Sequence, residues 1–439
     1  MAALSLDLGS SFTKAAILDT ETGVVEAVLS LAPPPNRAIK PGRHEQDGAS
    51  YVRQARECLE HVVRLRPDVT LLVLTTQMHG YILTDADNRP ISPYVSWQDR
   101  AALESDADGR TALDTLQYAL PPNALDGHGV PLKPNLALCA LHARVREGLS
   151  ISPGARLHTL GGYVLANLCG EYVCHATNAA PTGLYNTRER RMDTALCANL
   201  FGSNLRLPRV MDELAPVGEA LVLGRHVHLS PDIGDHQACA LGAMSGKRED
   251  GVVCVNIGTA GLLSVADDTY TEGSYETRPF FNRLFLSTVS GLPGGRHLDA
   301  LVHFIQGVLG AFCYDMPQGK VWQVLSVCGC DDGDAPLGLF DADGSLRVPA
   351  HADFRQSVAA VYRAMGAEYA LALKQVGRKA ERIHFTGGAV EKNPALRSAI
   401  ARRMGARDSK AVSGAIMRGS LVLAQAMERM EGSGQALWY

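Results

Sequence analysis

The sequence predicts an α/β protein of two similar domains that close on one polyphosphate. Three observations carry this. A strand, tight turn, strand pattern opens the chain as Leu4-Ser5-Leu6-Asp7-Leu8-Gly9-Ser10-Ser11 followed by Lys14 to Asp19. It recurs as Val253-Cys254-Val255-Asn256-Ile257-Gly258-Thr259-Ala260-Gly261 followed by Leu262 to Val265. Short apolar runs then alternate with helical patterns after each copy. At 439 residues the chain is too long for one ordinary core. Each turn joins a glycine to small hydroxyl residues, whose N–H and O–H groups can face an anion.

The elements follow in order. After the first hairpin, the Glu21-Thr22-Gly23 turn leads into a β-branched strand over 24–31, which Pro33-Pro34-Pro35 ends. Val52, Ala55, Cys58, Leu59, Val62 and Val63 recur at helical spacing over 51–65, and the pattern stops before Pro67. Val69 to Leu74 reads as a fully buried strand. Residues 100 to 225 are rich in turn formers and read as an insertion that shapes a pocket. A helix opens near Asp235, and the second hairpin follows over 252–265. A strand over 284–289, helices over 297–309 and 355–376, and a strand over 383–385 come next, the last feeding Thr386-Gly387-Gly388-Ala389. Helices over 394–404 and 413–430 finish the chain. The boundary between domains is set at 1–228 and 229–439.

Composition narrows the function. A formal net charge of −4 gives no global attraction for nucleic acid or an anionic membrane. Asp7 and Lys14 interrupt the apolar N-terminus too early for a signal-peptide core, so the chain reads as cytoplasmic. The ten cysteines are scattered, and neither Cys328-x-Cys330 nor Cys169-x4-Cys174 has zinc-site spacing, so buried free thiols are the expectation.

Asp7, Gly9, Ser10, Ser11 and Lys14 supply a carboxylate for a hydrated divalent cation, backbone donors for a phosphate and a compensating cation. The competing reading is a hairpin turn in which Asp7 only bonds the backbone. Gly234-Asp235-His236-Gln237 precedes an apolar helical run, where Asp235 is either an N-cap, an ionised proton acceptor at a helix start, or both. Gln77-Met78-His79-Gly80 follows a buried strand, where a crevice opens in α/β folds, and its polar groups fit sugar hydroxyls or a core edge. Trp97, Gln98, Asp99 and Arg100 make an aromatic platform beside polar groups, or a half-buried Trp with a surface ion pair. Arg188 to Arg191 reads as solvated surface, and His226-x-His228 as alternate positions of a strand.

As an ordered set, Asp7-Leu-Gly9-Ser-Ser11, Gln77-Met-His79-Gly80, Trp97-Gln-Asp99-Arg100, Gly234-Asp235, Gly258-Thr259 and Gly387-Gly388 resemble the FGGY carbohydrate kinases over about residues 3 to 425. The resemblance implies two duplicated actin-like (ribonuclease-H-like) ATPase domains with a cleft between them, using ATP and Mg2+ on a free sugar. It implies that Asp235 is the general base. Met78, His79, Trp97, Asp99, Asn178 and Asp235 would line the sugar site. Gly9, Ser10, Ser11, Lys14, Gly258 and Thr259 would face the ATP phosphates. Gly387, Gly388 and Asn393 would lie near the adenosine, Gly295 near the nucleotide, and Asp7 with Asp235 would hold Mg2+ mainly through water. Thr177 to Ala180, Arg278-Pro279-Phe280-Phe281-Asn282-Arg283 and Leu292 to Gly295 look most like sedoheptulokinase. A ketose phosphorylated at its terminal primary hydroxyl is therefore the implied substrate, with xylulose as the alternative. Neither a nucleic-acid nor a membrane partner is expected, and a homodimer is allowed for. Two departures stand out: Ala260 occupies a position where the family often has Ser, and the chain is short for the family. The reading from another class is an actin-like nucleotide switch, against which the segments at Gln77 and Trp97 argue.

Overall fold

The computed structural model describes residues 2–38, 40–246, 249–311, 316–327 and 354–433. Cys328 and Cys330 lie outside them. The first lobe is a six-stranded mixed sheet. Strands β1 (Ala2–Leu8), β2 (Thr13–Asp19) and β3 (Val25–Leu31) form an antiparallel meander, and helix α1 (Gly48–Leu65) crosses to β4 (Val69–Thr76), which runs parallel to β1. A long insertion intervenes before β5 (Gly218–Val222) and β6 (Arg225–Gly234), of which β6 pairs parallel with β4. The spatial order is β3-β2-β1-β4-β6-β5. All seven residues of β1 are buried, as expected of a central strand covered on both faces. Helix α1 is capped by Asp47, whose side chain accepts from Ala49 N, and buries the Tyr51, Val52, Ala55, Cys58, Leu59, Val62 and Val63 stripe that its spacing predicts.

The second lobe repeats the plan. Helix α2 (Asp235–Ala243) leads to β7 (Val252–Ile257), β8 (Gly261–Asp267), an edge strand β9 (Glu276–Pro279) and β10 (Phe285–Leu292). Helices α3 (Gly295–Ala311) and α4 (Phe354–Val376) precede β11 (Arg382–Thr386), which is followed by α5 (Pro394–Met404), β12 (Asp408–Ala411) and α6 (Ala415–Ser433). The order β9-β10-β8-β7-β11-β12 reproduces β3-β2-β1-β4-β6 in its last five strands, with β7, β11 and β12 parallel. The duplication is therefore topological as well as sequential. It extends to single contacts: Asp7 faces Thr75 across β1 and β4, and Asn256 faces Thr386 across β7 and β11.

Each lobe has its own core, the insertion has a third, and a further apolar layer joins both sheets through α2 and α6. The two helices meet backbone to backbone. A Cβ on Gly242 would lie 1.9 Å from the Ala415 carbonyl oxygen, and one on Gly419 would lie 2.0 Å from that of Ala238. Because β6 runs through Gly234 within the first sheet, the first lobe extends six residues past the boundary read at 228 (234 − 228 = 6).

Two surface readings also resolve. His226 and His228 lie on alternate positions of β6, the first exposed and the second half-buried, and both pair with Glu219. The Arg188 to Arg191 run is more than solvated surface, since Arg188 pairs with Glu272 and Arg190 pairs with Asp212 while donating to the Arg283 carbonyl at 3.2 Å. The described cysteines are free thiols. Among the described residues no helix is long and apolar enough to cross a membrane.

Candidate active site

The parallel strands decide what comes together. Leu8 of β1 pairs with Thr76 of β4, and Thr76 with Gly234 of β6, so three chain segments leave the sheet side by side at the carboxyl ends of its strands. They are Gly9 to Phe12, Gln77 to Gly80, and Asp235 onward. Gly9 N donates to Phe12 O at 3.1 Å, closing a four-residue turn in which Ser10 is half-buried and Ser11 exposed. Lys14, exposed, is in register with Asp7 and places its Nζ 5.8 Å from the Phe12 ring centroid.

Asp7 is buried, and its Oδ1 accepts from Thr75 Oγ1 at 3.1 Å. Burial and then the charge of Asp235 push its carboxyl up to about 7, against the opposing pull of Thr75 and Lys14. Asp235 is the first residue of α2; Gly234 occupies the cap position. The N-cap expectation is corrected accordingly: Asp235 Oδ1 accepts only the neighbouring His236 N, at 2.7 Å, so the carboxyl sits at the positive end of the helix without closing it. Burial raises it to about 6, opposed by that bond and by the Arg278 charge. Two carboxyls at these strand ends, with Asp235 raising Asp7, fit a hydrated divalent cation, with water completing the shell. No cluster of three or more ligating side chains occurs among the described residues.

The second lobe presents its own turn. Asn256 donates to Thr386 Oγ1 at 2.9 Å, as the counterpart of the Asp7–Thr75 bond. Thr259 and Ala260 are exposed in the 258–261 turn, and Gly258 is half-buried. Gly387 has φ +97°, and a Cβ there would meet the Ile257 carbonyl oxygen at 2.4 Å, so only glycine lets this turn press against the end of β7. Gly388 faces open space.

Several residues named from the sequence are committed elsewhere. Asp99 is fully buried, with Oδ2 accepting from His44 N (2.8 Å) and Arg144 Nη2 (2.9 Å) and Oδ1 from Ala101 N (2.9 Å). It braces the loop carrying half-buried Trp97. Asn178 Nδ2 binds Thr76 Oγ1 at 3.0 Å and Asp232 Oδ2 at 3.1 Å inside the first lobe, which makes it a support for the strand ends. Asn393 is the buried N-cap of α5, accepting from Leu396 N and donating to Tyr362 Oη. Gly295 N donates to Gly258 O at 2.8 Å, and Arg296 N to Thr259 O at 3.2 Å. These bonds hold the second turn against the start of α3 and spend the Gly295 donor. Gln77 donates to Tyr51 Oη at 3.0 Å. Met78 sulfur lies 3.0 Å from where a Gly234 Cβ would be, beside Asp235.

His79 keeps a place at the opening. Its φ of +70° is unusual for a residue with a side chain, and its Nδ1 is buried with no hydrogen-bond partner. Burial, then Arg278, holds it neutral, down at about 3. It faces Glu276, Arg278, Lys133 and His236, which come from three separate segments; Arg278 and His236 stand in stretches quoted from the sequence, whereas Glu276 and Lys133 were not singled out. For Glu276, only the Glu-x-Arg alternation on β9, with both side chains buried, left a trace.

Residues 2–109 match the N-terminal domain of the FGGY family of carbohydrate kinases. A xylulose kinase of Staphylococcus xylosus is 21% identical over 285 residues, covering 61% of this chain and 55% of that protein. A glycerol kinase of Thermococcus gammatolerans is 25% identical over 276 residues, covering 59% and 53%. The chain thus spans about half the length of these relatives. The fold extends further than the sequence match. The xylulose kinase structure from Rhodospirillum rubrum superposes with a TM-score of 0.79 at 17% identity, covering 100% of this chain and 91% of that one. The Plasmodium falciparum glycerol kinase structure with ADP gives 0.76 at 14%, covering 100% and 94%. The chain has the actin-like ATPase fold of these kinase structures.

Proposed function

We propose that the chain is an ATP-dependent sugar kinase that phosphorylates the terminal primary hydroxyl of a ketose, sedoheptulose first and xylulose as the alternative. The observation that carries this reading is the pair Asp7 and Asp235, at the ends of β1 and β6, which flank β4 in the sheet of one lobe, with the turns at Gly258 and Gly387 ending β7 and β11, the counterparts of β1 and β4, in the other. The family match and the relatives' names support a sugar as acceptor. The Arg278 to Arg283 and Thr177 to Ala180 stretches support a ketose.

In the mechanism, Ser10, Ser11, Lys14, Gly258 and Thr259 hold the phosphates, and Gly387 with Gly388 leaves room for the nucleoside. Asp7, with Asp235, would hold Mg2+ through water, and the ion would supply charge neutralisation of the phosphates when bound. The sugar oxygen attacks the γ-phosphorus in line and the bond to the bridging oxygen breaks. Asp235 accepts the hydroxyl proton and ADP leaves. Met78, His79 and Trp97 orient the sugar.

ADP formation compared by kcat/KM across sedoheptulose, xylulose, ribulose, fructose and glycerol tests this. A ketose is expected to lead. Preference for glycerol removes the ketose, and ADP release indifferent to every sugar removes the kinase.

The raised carboxyls fix a pH dependence. A base must be ionised to accept a proton, and burial has moved both carboxyls upward, so kcat/KM is expected to fall as pH drops through about 6 to 7, the two groups titrating as a pair. A profile that stays flat down to the ordinary carboxylate range of about 4 contradicts the assignment.

A further inference from the structure

The lobes touch at a second place besides α2 and α6. The insertion of the first lobe lies against the edge strand β9 of the second: Thr277 N donates to Gly129 O at 2.7 Å, and Gly127 N donates to Glu272 Oε1 at 3.0 Å. A Cβ on Gly129 would stand 2.1 Å from the Thr277 carbonyl oxygen, so the two backbones are in direct contact.

Into this seam the insertion sends Lys133. Its Nζ donates to Glu276 Oε1 and, at 2.7 Å, to Ser290 Oγ, which itself donates to Glu276 Oε1 at 2.6 Å. Glu276 Oε2 accepts from Arg278 Nε at 2.7 Å. Although burial alone would raise the Glu276 carboxyl, Arg278 and Lys133 hold it far below the usual range, so it stays ionised. Arg278 Nη1 reaches His236 Nδ1 at 3.0 Å. A guanidinium only donates, so Nδ1 accepts, and the neutral ring carries its proton on Nε2, 3.0 Å from Ser264 Oγ. His236 is the residue after Asp235, and its N–H is the donor to the Asp235 carboxylate.

We propose that Lys133 is a cross-lobe positioning residue, which pins the first lobe to the Glu276–Arg278–His236 chain and thereby fixes the start of α2 where Asp235 sits. Its catalytic consequence rests on the kinase reading; the lobe contact does not. The chain runs through charge-assisted bonds in a mostly buried seam, where they are stronger than exposed pairs. Together with the contacts at α2 and α6 they tie the lobes to one another at separate places. The Lys133 side chain is 33% exposed, and Glu276 keeps Arg278 and Ser290 without it, so the fold tolerates its replacement.

Amide hydrogen exchange on the free protein tests the contact without any substrate. Lys133→Met is expected to speed exchange about tenfold at Thr277 and His236, while Lys133→Arg, which still donates, leaves it unchanged; equal protection in all three proteins overturns the proposal. With the best sugar, Lys133→Met is expected to lower kcat about tenfold with little change in either KM, and Lys133→Arg to restore it. Altered exchange with unaltered kcat overturns the positioning role. If the wild-type protein phosphorylates no sugar, the kinase reading falls while exchange still decides the lobe contact.

Discussion

Replacing Asp235 by Asn is expected to lower kcat by two to four orders of magnitude while ATP and sugar still bind. Asn keeps the size of the side chain, and its oxygen can still accept from His236 N, so α2 retains its start. What is lost is a carboxylate able to take a proton, and general-base catalysis contributes about 10² to 10⁴ in rate. Asp7 should respond as well. The Asp235 charge is the second cause of its raised carboxyl, so Asp7 in the variant should ionise at lower pH and any residual activity should extend further into acid. Turnover assays, together with calorimetric titration of nucleotide and sugar, separate chemistry from binding. Near-normal phosphorylation in the variant would show that another group takes the proton.

The largest effect on stability is expected at the crossing of α2 and α6. A valine at Gly419 must place its Cβ where the Ala238 carbonyl oxygen stands, 2.0 Å away, and at Gly242 the clash with Ala415 O is at 1.9 Å. Both obstacles are backbone, so no side-chain rotation relieves them, and the helices must separate. Overpacking costs typically 1 to 3 kcal/mol where side chains can yield, so Gly419→Val is expected to cost about 3 kcal/mol or more. Because α2 begins with Asp235 and packs with both sheets through the shared apolar layer, separation also displaces the proposed base, and activity should fall ahead of global unfolding. Urea denaturation and residual turnover measured together check this. A change below about 0.5 kcal/mol, the range of an inert surface substitution, would mean that the helices are not in contact as described.

Much of the architecture was legible in the chain. The repeated hairpin, the α1 stripe and the buried run before Gln77 each have a period or a turn chemistry that local physics sets, and the elements stand within a few residues of where these place them. For the proposed site, Asp7, Gly9 to Ser11, Asp235, Gly258 and Gly387 stand out as candidates because a turn at a strand end needs glycine and small polar residues whatever surrounds it. Asp99, Asn178, Asn393 and Gly295 were harder. A side chain that accepts or donates in a site looks the same in sequence as one that does so in the interior, and in these four the hydrogen-bonding groups are taken by His44, Arg144, Asp232, Tyr362, Leu396 and Gly258.

The sequence by itself determined that there are two similar halves, each with a glycine-bearing turn between strands, and that a carboxylate stands before the first turn at Asp7 and at the start of a helix at Asp235. Those are properties of backbone permissiveness and apolar spacing, which act over a few residues. Only the tertiary structure decided that Lys133, Glu276, Arg278 and His236 meet beside Asp235, and that Gly242 and Gly419 join the halves. Such contacts arise when distant segments pack, and the burial that sets the charge of Asp7 and Asp235 exists only once they have.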